Sequence, residues 1–190
     1  LEVFEERKAA LPADVQARLH VFHMDMSRFD LGRRFPLIYV PFRAFQSLTT
    51  REQQEGCLRC VREHLAPGGR FIVDVFKPFT QLDESWRRPP TFIRDAVDPA
   101  TGRRIVFSDH RREIDVARQV IYADMILDVE HPDGTTGRVA ERLALAYFYE
   151  EQIRGLLNGA GLKIVKAWSD YIGTPIGLGP EQIFVCELNE

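Results

Sequence analysis

The sequence has no apolar run that approaches the roughly 20 residues a helix needs to cross a membrane, and no signal peptide is visible. Cysteine is scarce as well, because Cys57, Cys60 and Cys186 are too few to build a disulfide framework. These absences argue against a membrane-spanning protein and against a disulfide-stabilised secreted domain. They predict a reducing, cytoplasmic setting.

Positive and negative charges are nearly balanced in this sequence. The net charge is -3 and the isoelectric point is about 6.0, so no overall basic field would attract nucleic acid. Arginine pairs such as Arg33-Arg34 and Arg111-Arg112 are scattered among acids, which is typical of a solvated surface; a phosphate site is the alternative. At 190 residues, with 45% hydrophobic and 28% charged residues, the chain fits one globular domain over 1–190.

Two patterns could indicate a metal site. Cys57-x-x-Cys60 lies inside a helical pattern without a second pair of cysteines or histidines, so simple burial is favoured over a metal or redox role. The five histidines show no metal-ligand spacing. We therefore predict no metal.

Strands and helices alternate in the first half of the chain. Short runs predict a helix near Glu2 to Ala10 and a strand at Arg18 to His23. A buried strand is predicted at Phe35 to Val40. A capping box at Thr50-Arg51-Glu52-Gln53 predicts a helix that runs to Leu65. An Ala-Pro-Gly-Gly turn then leads into an apolar strand at 70–76. This alternation predicts an α/β fold with a parallel sheet.

The second half of the chain has a different pattern. Arg103 to Ile114, Gln119 to Glu130 and Arg138 to Phe148 all read as extended, which predicts a three-stranded antiparallel layer inserted at about 91–148. A helix at Glu150 to Leu157 follows. A final pair of strands, at 162–168 and 182–188, would complete the first sheet.

Four motifs, in their order along the chain, resemble those of class I S-adenosylmethionine-dependent methyltransferases. His23-Met24-Asp25-Met26 resembles the acidic motif that holds the adenine ring. The segment 35–42 resembles the fourth strand, whose end borders the transferred methyl group. Leu65-Ala66-Pro67-Gly68-Gly69-Arg70 resembles the turn into the fifth strand, and the segment 156–162 resembles the last helix-to-strand turn. The resemblance covers the whole chain and implies a Rossmann-like sheet of order 3-2-1-4-5-7-6.

The sequence departs from this pattern in three places. The glycine-rich loop after the first strand and the acid after the second strand are missing, because the first glycine is Gly32. The resemblance therefore implies a sheet that lacks its first two strands, and thus a C-terminal portion of a methyltransferase, with Leu1 near the start of the following helix. Many relatives have an aspartate where this chain has Pro36 and a histidine where it has Ser47.

The resemblance implies transfer of a methyl group from S-adenosylmethionine to a small molecule. The inserted layer, with Ser169-Asp170-Tyr171 beyond the sixth strand, is similar to the branch that N-methylates nucleotide-linked amino sugars. A non-catalytic remnant that serves as a binding or oligomerising module is the alternative. We expect the chain alone to be inactive and to bind the cofactor poorly. A nucleotide-dependent dehydrogenase is a weaker third possibility, because it too needs the glycine-rich loop.

The resemblance implies cofactor contacts from Asp25 and Met26, and from Pro41 and Phe42 at the end of a strand, where open α/β sheets bind ligands. A local Asx-turn is the alternative role for Asp25, and a core position is the alternative for Phe42.

The candidate acceptor-binding residues lie in three regions of the sequence, and each has a structural role as its alternative. Ser47 and His110 are the candidates for accepting a proton from the acceptor, although a strand histidine is more often structural. The candidate substrate-binding residues, with surface or core positions as their alternatives, are Arg43, Gln46, Tyr147, Tyr149 and Tyr171.

Loss of two strands would leave the strand at Phe35 to Val40 with an open edge. We expect the chain to form a homodimer through that edge, or the segment from Leu1 to Arg34 to repack onto it.

Overall fold

The computed structural model describes residues 2–78 and 80–189. It contains two four-stranded sheets and four helices, together with short 3-10 helices at Ala44–Ser47 and Glu84–Trp86. The elements, in chain order, are α1 (Glu2–Ala9), α2 (Ala13–Gln16), β1 (Phe35–Val40), α3 (Arg51–His64), β2 (Leu65–Phe76), β3 (Arg88–Val97), β4 (Arg104–Asp115), β5 (Val120–Glu130), β6 (Thr136–Ala146), α4 (Glu150–Gly159), β7 (Leu162–Trp168) and β8 (Glu181–Leu188).

The first sheet has the order β1-β2-β8-β7. β1 and β2 are parallel, whereas β8 is antiparallel to both β2 and β7. This order corresponds to strands 4-5-7-6 of the Rossmann-like methyltransferase sheet. The predicted α/β fold is confirmed, and so are the predicted strands at both ends of the sheet.

The main core lies where α3 and α4 pack against this sheet. Leu58 of α3 and Ile153 of α4 are fully buried, as are Phe71 and Val73 of β2 and Phe184 of β8. α3 begins as predicted: the Thr50 hydroxyl accepts a hydrogen bond from the Gln53 backbone, and the Gln53 side chain caps the Thr50 backbone in return. This capping satisfies backbone donors that the first turn leaves free.

The inserted layer has four strands, β3 to β6 in sequential order, so the prediction of three strands was wrong. The additional strand is β3, which begins at Arg88 and, among the described residues, pairs with β4 alone. Pro89 and Pro90 obscured it, because proline cannot donate to a ladder and is typical of strand ends and sheet edges. β3 is such an edge strand.

The strand predicted at Arg18 to His23 is not formed. Residues 19–24 have no regular secondary structure, and within the described part of the chain they pair with no strand. The apolar residues Val21 and Phe22 are exposed instead. An apolar run becomes a strand only when a neighbour accepts its backbone hydrogen bonds.

β1 forms one edge of the first sheet. Within the described residues it pairs with β2 alone, and Leu37 on this strand is 55% exposed. The expected open edge is therefore present. The segment 2–34 adds no strand to it. Dimerisation through this edge remains a prediction.

Candidate functional site

The loop that carries Asp25 and Met26 is attached to one face of α3. Gly56, Cys60 and His64 are spaced four residues apart and therefore lie on the same side of the helix. The sulfur of Cys60 accepts a hydrogen bond from the Phe29 amide at 3.4 Å. Gly56 faces the carbonyl of Ser27, and a Cβ at Gly56 would lie 2.5 Å from that oxygen. The loop can approach the helix this closely because residue 56 has no side chain.

His64 provides the third attachment. Its Nε2 accepts a hydrogen bond from the Leu31 amide at 2.8 Å, and its Nδ1 lies 2.8 Å from the carbonyl oxygen of Cys60. With Nε2 as the acceptor for the Leu31 amide, Nδ1 is the ring nitrogen that can donate to the Cys60 carbonyl. The ring of Phe29 packs on the imidazole, with 4.9 Å between the ring centroids. The buried histidine and cysteine thus hold loop backbone, in keeping with the structural role expected for Cys60.

The fixed loop forms one wall of an apolar cleft of about 370 Å³ beside β1. Asp25 and Met26 line this wall, and Ile38 and Pro41 line the opposite side at the end of β1. Cys57 of α3 also lines the cleft. The structure therefore brings three of the four predicted cofactor-binding residues to one cavity at the carboxyl end of a strand.

Asp25 has the Asx-turn geometry that the sequence left open. Its Oδ1 accepts hydrogen bonds from the Ser27 amide at 2.8 Å and the Ser27 hydroxyl at 2.7 Å. The Arg28 guanidinium lies 3.6 Å from Oδ2. The hydrogen bonds from Ser27, with a smaller contribution from Arg28, lower the pKa of Asp25. Oδ1 is therefore committed to the turn, and Oδ2 is the oxygen oriented by the turn for a further donor.

The chain makes a strained turn where β1 ends. Phe42 and Arg43 both have positive φ angles, of 54° and 60°, which is uncommon for residues other than glycine. The Asp74 carboxylate on β2 fixes this turn, because its Oδ1 accepts a hydrogen bond from the Arg43 amide at 2.6 Å. Phe42 is 94% exposed, so it is not the core residue that was its alternative role.

Two tyrosines cover the other oxygen of the same carboxylate. Tyr171 donates a short hydrogen bond to Asp74 Oδ2, and the Tyr39 hydroxyl lies 2.6 Å from the Tyr171 hydroxyl and 3.4 Å from Oδ2. The two rings meet edge to face, with 6.3 Å between their centroids. Tyr171 is 60% exposed as a whole, but its hydroxyl is bonded to the buried Asp74 carboxylate. Burial, together with the hydrogen bond to Asp74, raises the pKa of Tyr171. It is therefore protonated at neutral pH and acts as a donor.

The Arg43 side chain is paired within the protein. Its guanidinium forms two hydrogen bonds with the Glu181 carboxylate at the start of β8 and lies over the ring of Phe76. The pair lies at the same ends of the strands as Asp74, because Glu181 is opposite Phe76 in the β2–β8 ladder. This arrangement neutralises the charge of Arg43, and among the described residues no cationic side chain forms an ion pair with Asp74.

Gln46 and Ser47, which follow on the same loop, bond to the protein itself. Gln46 is completely buried: its amide donates to the Ala146 carbonyl at 2.6 Å, and its oxygen accepts from the Phe76 amide at 2.8 Å. It therefore joins β2 to the end of β6. The exposed Ser47 hydroxyl donates to the Ala44 carbonyl at 2.7 Å. Their roles at an acceptor remain predictions.

The remaining candidates lie in or beside the second sheet. His110 on β4 faces Asp124 on β5, with Nδ1 3.8 Å from the carboxylate, and shares that carboxylate with Arg112 and Arg142. Tyr147 is almost fully buried.

Tyr149 bonds to the loop ahead of β3. Its hydroxyl accepts a hydrogen bond from the Leu82 amide, and its ring packs edge to face on Tyr147. His110, Tyr147 and Tyr149 therefore have structural partners and lie apart from the cluster around Asp74.

Sequence reasoning missed Asp74, Tyr39 and Glu181. A signal existed for Asp74, since it is the one charged residue within the apolar run Phe71 to Phe76. A carboxylate in a strand buried on both faces requires polar partners. No local pattern identifies those partners, because Tyr171 is 97 residues away.

Within the described ranges, no three His, Cys, Asp or Glu side chains are grouped to hold a metal ion. No helix there is long and apolar enough to cross a membrane.

Comparison with known proteins identifies the fold. No protein-family model and no curated protein matches the sequence. Among solved structures, the CcbJ methyltransferase from Streptomyces caelestis superposes with a TM-score of 0.79 at 23% identity, over 100% of this chain and 71% of that one. An S-adenosylmethionine-dependent methyltransferase from Clostridium acetobutylicum has a TM-score of 0.73 at 17% identity, over 88% and 63%. The sugar N-methyltransferase KedS8 from Streptoalloteichus has a TM-score of 0.67 at 21% identity, over 88% and 61%.

At these identities the similarity establishes the fold. The chain has the Rossmann-like fold of class I S-adenosylmethionine-dependent methyltransferases. It spans between 61% and 71% of the length of these three relatives.

Proposed function

We propose that this chain acts in S-adenosylmethionine-dependent methyl transfer to a small molecule, an amine such as an amino sugar. The observation that carries the proposal is the cleft beside β1, where the Asp25–Met26 loop meets Pro41 at the carboxyl end of a strand. Ligands of open α/β sheets bind at such ends. Three neighbours of known fold, including KedS8, are named as methyltransferases.

The residues of the cleft suit the adenine end of the cofactor. Met24, Met26 and Ile38 form apolar walls for a flat ring, and a cleft of about 370 Å³ lies within the usual range for ligand sites. Asp25 Oδ2 can accept a hydrogen bond from an exocyclic amino group while Oδ1 holds the turn. The bound cofactor would supply a methyl group activated by its sulfonium.

In this proposal the chain itself binds the nucleoside and positions the acceptor and the donor. Asp25 and Met26 hold the nucleoside, and the strained turn at Phe42 and Arg43 sets the boundary between the cleft and the ends of the strands. Alignment of acceptor and donor, together with exclusion of water, is the main requirement of an in-line displacement. The chain has no glycine-rich loop before Gly32, so we expect it to hold the adenine end only and to bind weakly by itself.

Methionine NMR tests this proposal directly. The chain has three methionines: Met24 and Met26 line the cleft, whereas Met125 lies on β5 in the other sheet. In protein with ¹³C-labelled methionine methyl groups, S-adenosylhomocysteine should shift the Met24 and Met26 signals and leave the Met125 signal unchanged. Asp25→Asn should weaken this response, and Asp128→Asn on the second sheet is the matched control.

A different pattern of shifts would contradict the proposal. A shift of Met125 alone would place the ligand elsewhere, and three unchanged signals at millimolar ligand would remove the cofactor role of the cleft. The open edge of β1 favours the alternative of a non-catalytic binding or oligomerising module. That alternative predicts unchanged Met24 and Met26 signals together with a concentration-dependent sedimentation coefficient.

A further inference from the structure

Asp74 is a buried carboxylate at the ends of β1 and β2. It is 4% exposed, and among the described residues its carboxylate accepts hydrogen bonds from the Arg43 amide and from tyrosine hydroxyls. Within residues 2–78 and 80–189, no Lys, Arg or His side chain forms an ion pair with it. The nearby guanidinium of Arg43 is paired with Glu181 instead.

An unpaired buried carboxylate is costly, and proteins generally pair such a charge. Asp74 lies where the sheet presents its ligand-binding ends. Its tyrosine partners are both substantially exposed, so the cluster opens toward solvent rather than into the core. These facts point to a cation supplied from outside the chain.

The hydroxyls are arranged so that they can accept hydrogen bonds from such a cation. Tyr171 donates its proton to Asp74, and at 2.6 Å Tyr39 can donate to Tyr171 in turn. Each hydroxyl thus directs its proton toward the carboxylate and leaves oxygen lone pairs to accept a bond from an ammonium group. The two rings, set at 80° to one another, also offer faces that attract a cation.

We propose that Asp74, Tyr39 and Tyr171 form a binding site for the protonated amino group of a small-molecule ligand. Identifying that group as the amine of the methyl acceptor rests on the proposed function; binding of the cation does not. Tyr39 also lines the cleft that contains Asp25, so one ligand group at each site would place an amine beside a nucleoside at the end of β1.

A pair of isosteric probes tests the charge requirement. Cyclohexylammonium and cyclohexanol have the same ring and differ in the charged group, and the five tyrosines give separate signals when their rings are ¹³C-labelled. Cyclohexylammonium should shift the Tyr39 and Tyr171 signals and leave those of Tyr122, Tyr147 and Tyr149 in place. Cyclohexanol should produce little response.

Asp74→Asn retains the shape of the side chain and removes its charge. We expect it to weaken cyclohexylammonium binding roughly tenfold to a hundredfold, because hydrogen bonds to charged groups are the strong ones. Cyclohexanol binding should not change, and Asp128→Asn should bind cyclohexylammonium as the wild type does. If Asp74→Asn fails to fold, Tyr171→Phe takes its place, with a severalfold loss expected from removal of the hydroxyl alone.

Two results would overturn the inference: equal responses to both probes in the wild type, including no response to either, or undiminished cyclohexylammonium binding in the variant. The methionine signals separate this outcome from that of the proposed function. The side-chain oxygen that remains in Asp74→Asn can still accept the hydrogen bond from the Arg43 amide and keep the turn in place. S-adenosylhomocysteine should therefore shift Met24 and Met26 equally in the wild type and in Asp74→Asn, so either site can fail while the other stands.

Discussion

Replacement of Gly56 by alanine should displace the loop that carries Asp25. The new Cβ would lie 2.5 Å from the Ser27 carbonyl oxygen, whereas a carbon and an oxygen in contact normally stand about 3.3–3.6 Å apart. The obstruction is backbone rather than the end of a flexible side chain, so the loop must retreat by roughly 1 Å. That movement stretches the hydrogen bonds from Phe29 to Cys60 and from Leu31 to His64.

The expected stability change is a difference of two terms. Glycine-to-alanine replacement inside a helix gains about 1 kcal/mol from helix propensity. Loss of two hydrogen bonds costs about 1–3 kcal/mol in total. Gly56→Ala should therefore range from neutral to about 2 kcal/mol less stable than the wild type, although alanine is a better helix former than glycine.

Gly155→Ala is the matched control. Gly155 also lies inside a helix, α4, but a Cβ there would have no neighbour within 4 Å. It should gain up to about 1 kcal/mol, so the two alanine variants should differ by roughly 1–3 kcal/mol in urea unfolding.

Hydrogen exchange and ligand titration complete the assay. In Gly56→Ala the Phe29 and Leu31 amides should exchange faster, and S-adenosylhomocysteine should shift the Met24 and Met26 methyl signals less than in Gly155→Ala. If the two variants are equally stable and the Phe29 and Leu31 amides stay equally protected, Gly56 does not hold the loop and the reasoning fails.

Two further changes test contacts outside the cleft. Gln46→Leu leaves the Phe76 amide and the Ala146 carbonyl without their partner and should cost about 2–4 kcal/mol in urea unfolding. The exposed Ser47→Ala should stay within about 0.5 kcal/mol of the wild type, and equal effects would contradict the bridging role of Gln46. Hydrogen bonds from Arg112 and Arg142 lower the pKa of Asp124 in the folded state, so the stability that it contributes is present above the unfolded value of about 3.9 and is lost as pH falls through the lower folded value. The stability difference between wild type and Asp124→Asn should therefore shrink as pH falls below about 4; a difference that does not change with pH would refute the linkage.

Much of the first sheet could be predicted because its signals are local. The capping box at Thr50, the Pro67-Gly68-Gly69 turn and the apolar run after it each specify a boundary within a few residues. The same local logic failed at Arg18 to His23, where an apolar run has no neighbouring strand among the described residues, and at β3, which was not predicted and whose two prolines an edge strand tolerates.

The candidate site was only partly accessible to sequence reasoning. Asp25, Met26 and Pro41 meet in one cleft as expected, because each lies at the end of a segment that the motifs identify. The cluster around Asp74 depends on contacts between residues that are 31 to 132 positions apart in the sequence, and no local pattern determines which of them meet. Sequence could have identified Asp74 as a buried carboxylate, but not Tyr39 and Tyr171 as the residues that cover it.

The unpaired side of β1 has a practical consequence. The backbone amide and carbonyl groups on that side can pair with a further strand. An extended peptide that binds there would gain main-chain hydrogen bonds without rearrangement of the core. We therefore expect that a separately supplied polypeptide can complete the sheet, and that the same edge favours ordered aggregates in concentrated solution.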